Sequence, residues 1–355
     1  IANDRADTIS HLIALGADPA APHQTHWSYL HFAARGNHVK AAEALVAQGL
    51  EIDARLANDA TPLHLAAYND HPEIARWLIE RGADLGALAL AADWGKESSA
   101  RERQDAWRKE GAKGVPSGKL GDFEHTPLHI AAARGATRVA ELLLEHGADP
   151  AAAIGDGRTA LHLAAEHGHP DTLALLCHTT ATLDARDHRE DTKAEQPIHQ
   201  TALQASVTGG HVACAEVLLR AGSNPNTQLH WPGRSPFAGW NLVHLCADQG
   251  HAEPIRLLAR HGADMQATTP DGRTALHLAA LANRAEVVTA LLDLGGVSVD
   301  VLDKHAMSAL QLACLKGASE AAKVLLIGQG VIEQADIEQA TEPGVATRGS
   351  AKAPL

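Results

Sequence analysis

Aromatic side chains are scarce in this chain: two Tyr, three Phe and six Trp among 355 residues. A β-sandwich or barrel of this length draws on aromatic and β-branched residues, so the shortage argues against one, and abundant Ala favours short, closely packed helices. Cysteine is also rare. Cys177, Cys214, Cys246 and Cys314 stand far apart, none in a C-x-x-C pair, which argues against a short-spaced metal module and leaves each as an expected buried core residue. Free thiols fit a reducing cytoplasm. No apolar run approaches the roughly 18 residues of a membrane helix. No signal peptide is visible, though a secreted or periplasmic location stays open for a chain that begins at Ile1 without Met. Positive charge is in deficit as well: 30 Lys and Arg face 43 Asp and Glu, for a formal net charge of −13 with no basic block. An acidic body is a poor match for phosphates, so the expected partner is a protein with a basic or neutral surface, and neither nucleic acid nor membrane.

What the chain has instead is repetition. Thr61-Pro62-Leu63-His64, Thr126-Pro127-Leu128-His129, Thr159-Ala160-Leu161-His162 and Thr274-Ala275-Leu276-His277 are four copies of one signal. Looser copies begin at Ser28, Thr201, Asn241 and Ser308, and the successive spacings are 33, 65, 33, 42, 40, 33 and 34 residues. The head residue can cap a first helix with its side-chain oxygen, and Pro62 and Pro127 fall at the first helical position, where a missing N–H costs nothing. The following Leu and Ala pair make a narrow apolar face. A second helix such as Val139 to Leu144 ends at Gly147-Ala148-Asp149, where Gly permits a left-handed cap. Asp156-Gly157 and Asp271-Gly272 mark tight turns leading to the next unit.

A 33-residue period carrying this motif resembles the ankyrin repeat. The resemblance covers nearly the whole chain and implies an all-α ankyrin-repeat solenoid of helix-turn-helix units with finger loops. About nine repeats and an N-terminal half repeat are expected, the half repeat from His11 to Pro19. Residues 1–332 form the repeat domain and 333–355 a polar, disordered tail. Within the 65-residue gap, Ala87 to Gly95 aligns with Ala160 to Gly168, so residues 86–125 read as a degenerate repeat, with a plain insertion as the alternative.

Catalytic and metal chemistry find little support. Most of the 23 histidines fall in repeat slots, where the resemblance implies that the ring of the T-P-L-H position ties neighbouring finger loops. The leftover set Cys177, His178, His188 and His199 lacks short zinc-ligand spacing. Gly114 to Leu120 is one residue short of a phosphate loop and ends in Leu where Ser or Thr is required. No catalytic residue, cofactor or metal is therefore expected, and the chain is read as a non-enzymatic protein-interaction scaffold. The alternatives are an immunity or inhibitor protein neutralising a toxin or enzyme, or the targeting arm of a larger enzyme.

By the same resemblance, the positions after each Ala pair face the ligand: Tyr68, Asn69, Arg134, Glu166, His167, Asp248 and Gln249. Two fingers are lengthened against the 33-residue period. One carries Arg186 and His188 among dense charge; the other carries Trp231, Arg234, Phe237 and Trp240. Aromatic and Arg side chains dominate interface hot spots, so these two loops are the expected contact platform. Trp231 and Trp240 folding back to fill the gap left by the insertion is the competing reading.

Overall fold

The computed structural model describes residues 15, 27–56, 58–90, 124–179, 182–188, 199–230 and 237–328. It divides into two units, one of residues 1–224 with 229–235 and one of 225–228 with 236–355. The first unit holds five helix pairs among the described residues. These are α1 (Tyr29–Arg35) with α2 (Val39–Ala47), α3 (Pro62–Tyr68) with α4 (Pro72–Glu80), and α5 (Pro127–Arg134) with α6 (Thr137–Glu145). They continue as α7 (Ala160–Glu166) with α8 (Pro170–Thr179), and α9 (Ala202–Thr208) with α10 (Val212–Ala221). The second unit holds α11 (Leu242–Gln249) with α12 (Ala252–Arg260), α13 (Ala275–Leu281) with α14 (Ala285–Asp293), and α15 (Ala309–Lys316) with α16 (Ser319–Gly328). Within each unit, first helices pack in one layer and second helices in another, each on its counterpart in the next pair.

The first helices are short because each is stopped at both ends. Thr61 is extended, Pro62 opens the helix, and a reciprocal capping box closes between Thr61 and His64. The same box forms at Thr126, Thr159, Thr201, Asn241, Thr274 and Ser308. Between the ends, Leu63, Ala66 and Ala67 are fully buried, as are Leu128, Ala131 and Ala132 at the matching positions. Two Ala side chains per helix let backbones approach closely, which is why the layer needs so few aromatics. Most second helices stop at a positive-φ residue, as at Gly82 and Gly147, where any side chain would be strained.

The T-P-L-H ring joins one repeat to the next. The Thr61 N–H donates to His64 Nδ1 at 3.2 Å, so Nε2 carries the ring proton, and it donates to the His125 carbonyl at 3.0 Å. His129 reaches Ala152 and His162 reaches Ala185 in the first unit, and His244 reaches Ala267 in the second, each at 3.0 Å. His31 and His277 make the same link to Ala60 and Met307. A second row does similar work at the far end of the first helices. His71, His169 and His211 approach the carbonyls of Arg35, Ala133 and Glu166 at 3.0, 3.1 and 2.9 Å. Those carbonyls lie in the last turn of a helix and have no intrahelical donor.

Across the 65-residue spacing the described residues hold no further helix pair: eight pairs are present among them, the count of nine is not confirmed, and residues 91–123 of the expected degenerate repeat at 86–125 lie outside the described residues. Ala89–Leu90 is not helical. It forms β1 and pairs antiparallel with β2, Glu124–His125, with Ala89 opposite His125 and Leu90 opposite Glu124. Helix α3 packs directly on α5, and His64 reaches across 61 residues to His125 as its counterparts reach across 23 to 30. The described ends of that gap, Leu90 and Glu124, therefore belong to one finger. The polar second helix expected from Ala100 to Glu110, the Gly114–Leu120 loop, the half repeat at His11–Pro19 (apart from Leu15) and the 333–355 tail lie outside the described residues. The cysteines need one adjustment. Cys214 and Cys246 are buried and Cys177 half-buried, but Cys314 is exposed on α15. Burial pushes the thiols of Cys177 and Cys214 up to about 11 and that of Cys246 to about 12.

Burial also holds the ladder rings neutral. It lowers His31 and His64 to about 4 and His129 to about 3, against partial compensation from carbonyls that accept from the rings. His244 and His277 are lowered for the same reason. The unfolded chain thus binds these protons more tightly than the folded one. The stabilisation is complete above pH ~6.5 and is lost as the pH falls from there through about 4, at up to ~1.4 kcal/mol per ring per pH unit. Gln204 and Gln311 fill the same slot without a titrating group, accepting from Thr201 and Ser308 N–H. His64→Gln is expected to remove about 1 kcal/mol of the stability lost between pH 7.5 and 5.5. The measurement is the slope of melting temperature against pH; an unchanged slope counts against a neutral, buried ring. Independently, replacing residues 91–123 by Asn-Gly should close a two-residue hairpin between β1 and β2. The thermal midpoint should stay within roughly 5 °C of the parent, whereas a fall of ~10 °C or more would show that the inserted segment packs on the stack.

Candidate interaction surface

The last turn of each first helix projects the two residues that follow the Ala pair. In the first unit Tyr68 and Asn69 are half-buried, Arg134 is exposed, and Glu166 and His167 are half-buried. The Arg134 guanidinium carbon lies 4.5 Å from the Tyr68 ring centroid, so consecutive repeats are joined here by a cation–π contact. Asn69 Nδ2 donates to the Leu65 carbonyl at 2.8 Å and caps its own helix. His167 Nδ1 lies 3.0 Å from the Leu163 carbonyl, and its ring stacks on His169 at 6.5 Å. Another Arg–aromatic pair sits at the first described helix pair, where Arg35 lies 5.5 Å from the Trp27 ring.

Glu166 is tied down by a residue that sequence reasoning passed over. Arg158, almost wholly buried, donates from Nε to Asp156 at 2.8 Å and from Nη1 to Glu166 at 3.0 Å. A buried guanidinium needs such pairing, because an uncompensated charge in that position is costly. The signal is the Asp-Gly-Arg-Thr string at 156–159, which recurs at 271–274. There Arg273 pairs at 3.3 Å with buried Asp303 of the following finger.

In the charged finger, Arg186 is half-buried and donates from Nη1 to the His199 carbonyl at 2.8 Å. Buried Asp187 accepts from the Gln200 N–H at 2.8 Å, and the His188 N–H donates to the Asp156 carbonyl at 2.6 Å. These bonds close the base of the loop and leave the His188 side chain exposed. The His199 ring bridges His188, at 6.3 Å edge to face, and His230, stacked at 4.8 Å.

In the second unit, Asp248 and Gln249 are half-buried at the end of α11. Partial burial raises the Asp248 carboxyl despite the nearby Arg284 guanidinium, whose Nε donates to the Asp248 carbonyl oxygen at 2.9 Å. Trp240 is a correction to the expected contact set. It is only 6% exposed, stands edge-on to Phe237 at 4.8 Å and lies 6.1 Å from His244. Preceding the Asn241 cap directly, it is carried into the core with α11. Phe237 is half-buried beside it, while Trp231 and Arg234 lie outside the described residues.

Among the described residues no group of three or more His, Cys, Asp or Glu is placed to hold a metal ion, and no helix is long and apolar enough to cross a membrane.

The likeness to known proteins is extensive. A model of ankyrin repeats in three copies matches residues 1–89, 109–187 and 243–337, and a single ankyrin-repeat model matches 199–228. The human SH3 and multiple ankyrin repeat domains protein 2 is 30% identical over 201 residues, 56% of this chain and 10% of that protein. Human Rabankyrin-5 is 29% identical over 205 residues, 57% of this chain and 16% of that protein. Among solved structures, the human ASB11 ankyrin repeat domain superposes with a TM-score of 0.53 at 25% identity, covering 77% of this chain and all of that one. The chain therefore spans a small part of these curated relatives. The family models cover well over half of its length, and the helix pairs, capping boxes and finger links agree with them: the chain belongs to the ankyrin-repeat family.

Proposed function

We propose that this chain is a protein-binding module that holds a partner along the C-terminal ends of its first helices. In the first unit the surface is Tyr68, Asn69, Arg134, Glu166 and His167; in the second it is Asp248 and Gln249. His188 extends the first unit's surface from its finger, and Trp231, Arg234 and Phe237 are retained as anchors on the other long finger. The partner presents a mainly basic or neutral face to a chain of net charge −13. One observation carries the reading. Arg134 is exposed and stacked on Tyr68, and its N–H groups meet no acceptor among the described residues. An oriented Arg–aromatic pair of this kind is the composition of an interface hot spot.

The relatives suggest a second reading for the molecule as a whole. SH3 and multiple ankyrin repeat domains protein 2 and Rabankyrin-5 are far longer than their matched segments, which supports a recognition arm within a larger protein.

The test is quantitative affinity capture with the parent chain and with Tyr68→Ala/Arg134→Ala. Specific partners should drop at least tenfold with the double variant, at a nearly unchanged melting temperature. Trp231→Ala/Arg234→Ala should weaken capture of the same partners. Full retention by both variants would place the binding surface elsewhere.

A further inference from the structure

The Arg134 surroundings also specify what the partner brings to it. Arg134 ends α5 behind a buried Ala131–Ala132 pair, so its backbone is fixed by the core. Its guanidinium lies over Tyr68, which covers one face of the planar group and leaves the N–H edges to be satisfied in plane. An acid of the same row, Glu166 in the next repeat, has its Oε2 engaged by Arg158 at 3.0 Å, and no carboxylate among the described residues pairs with Arg134. Asn69 spends one of its two amide N–H donors on the Leu65 carbonyl. His169 feels the Arg134 charge: burial lowers its pKa first, the Ala133 carbonyl opposes that, and the charges of His167, Arg134 and His211 lower it further.

Covering such a guanidinium with a partner removes water from its donors. A neutral apolar surface would strand them, and a lone carbonyl would meet one of them. A carboxylate accepts two in parallel, in the geometry that the planar fork presents. We infer that Arg134, clamped by Tyr68, reads a single Asp or Glu side chain of the partner, on a partner surface otherwise basic or neutral. The net charge of −13 explains the restriction to one acid: a broadly acidic partner is repelled at long range, whereas one carboxylate is recognised at contact. This rests on the proposed binding surface, and makes Arg134 its specificity-determining residue.

The experiment pans a display library of random 12-residue peptides on the full chain and counter-screens each binder on Tyr68→Ala/Arg134→Ala. Binders weakened tenfold or more occupy this surface. In each of them, every Asp and Glu is changed singly to Asn or Gln and affinity is measured on the parent chain and on Arg134→Gln. One carboxylate per peptide should lose at least tenfold on the parent and less than threefold on Arg134→Gln. Arg134→Lys, which keeps the charge but not the fork, should recover only part of the affinity. Peptides that bind this surface without such a carboxylate, or equal losses on both proteins, overturn the carboxylate reading alone. If no binder senses the double variant, the surface itself is refuted and this inference falls with it.

Discussion

One constraint underlies the structure: six first helices hand the next finger a hydrogen bond through a histidine at the third residue after the cap. At His64 the ring accepts from the Thr61 N–H on one side and donates to the His125 carbonyl on the other. A single side chain thereby ends a helix, sets its own tautomer and fixes the next finger. Repetition of that link makes stability a sum of neighbouring terms and lets the stack carry long fingers without losing register. The second row, from His71, His169 and His211 to helix-end carbonyls, does the same at the opposite end of the helices. Helices α1, α5 and α7 are thus pinned at both ends, and their residues just beyond the Ala pair project from a rigid frame.

Much of this was legible in the residues because the signal is local. Thr, Pro, Leu, His and the Ala pair each have a reason to be where they are within a single turn, so eight copies identify eight first helices. The segment that opens the 86–125 stretch is instructive for the same reason. Ala87 to Ala92 imitates the apolar face of a first helix, but it has neither a Thr cap ahead of it nor a His at the third position. Without the box nothing starts the helix, and Ala89–Leu90 instead pairs as a strand. Side-chain partners distant in sequence were harder to foresee. Arg158 finds Glu166 only after the finger has folded over α7, and Trp240 looks like an exposed anchor until the Asn241 cap draws it inward.

The candidate surface follows from how the frame distributes its polar groups. Glu166, Asn69 and Arg186 were all expected to face a ligand, yet each is engaged within the protein. Such residues shape a surface more than they grip a partner. Arg134 differs because the ring beneath it orients its charge without neutralising it. An interface built this way gains its selectivity from a pre-organised donor, at little cost in side-chain ordering when the partner arrives.

The neutral rings of the ladder have a colloidal consequence as well. With histidine uncharged the chain carries −13, and it contains 23 histidines. While the fold persists the buried rings are withheld from titration, and their protons cannot offset the acidic residues. Once acid opens the stack, those rings take up charge, and the chain moves towards zero net charge as its Leu- and Ala-rich faces are uncovered. Mutual repulsion between molecules is then weakest when their apolar surface is greatest. Mild acid should therefore turn this protein from a dispersed solution into a precipitate, with unfolding and loss of solubility arriving as one event.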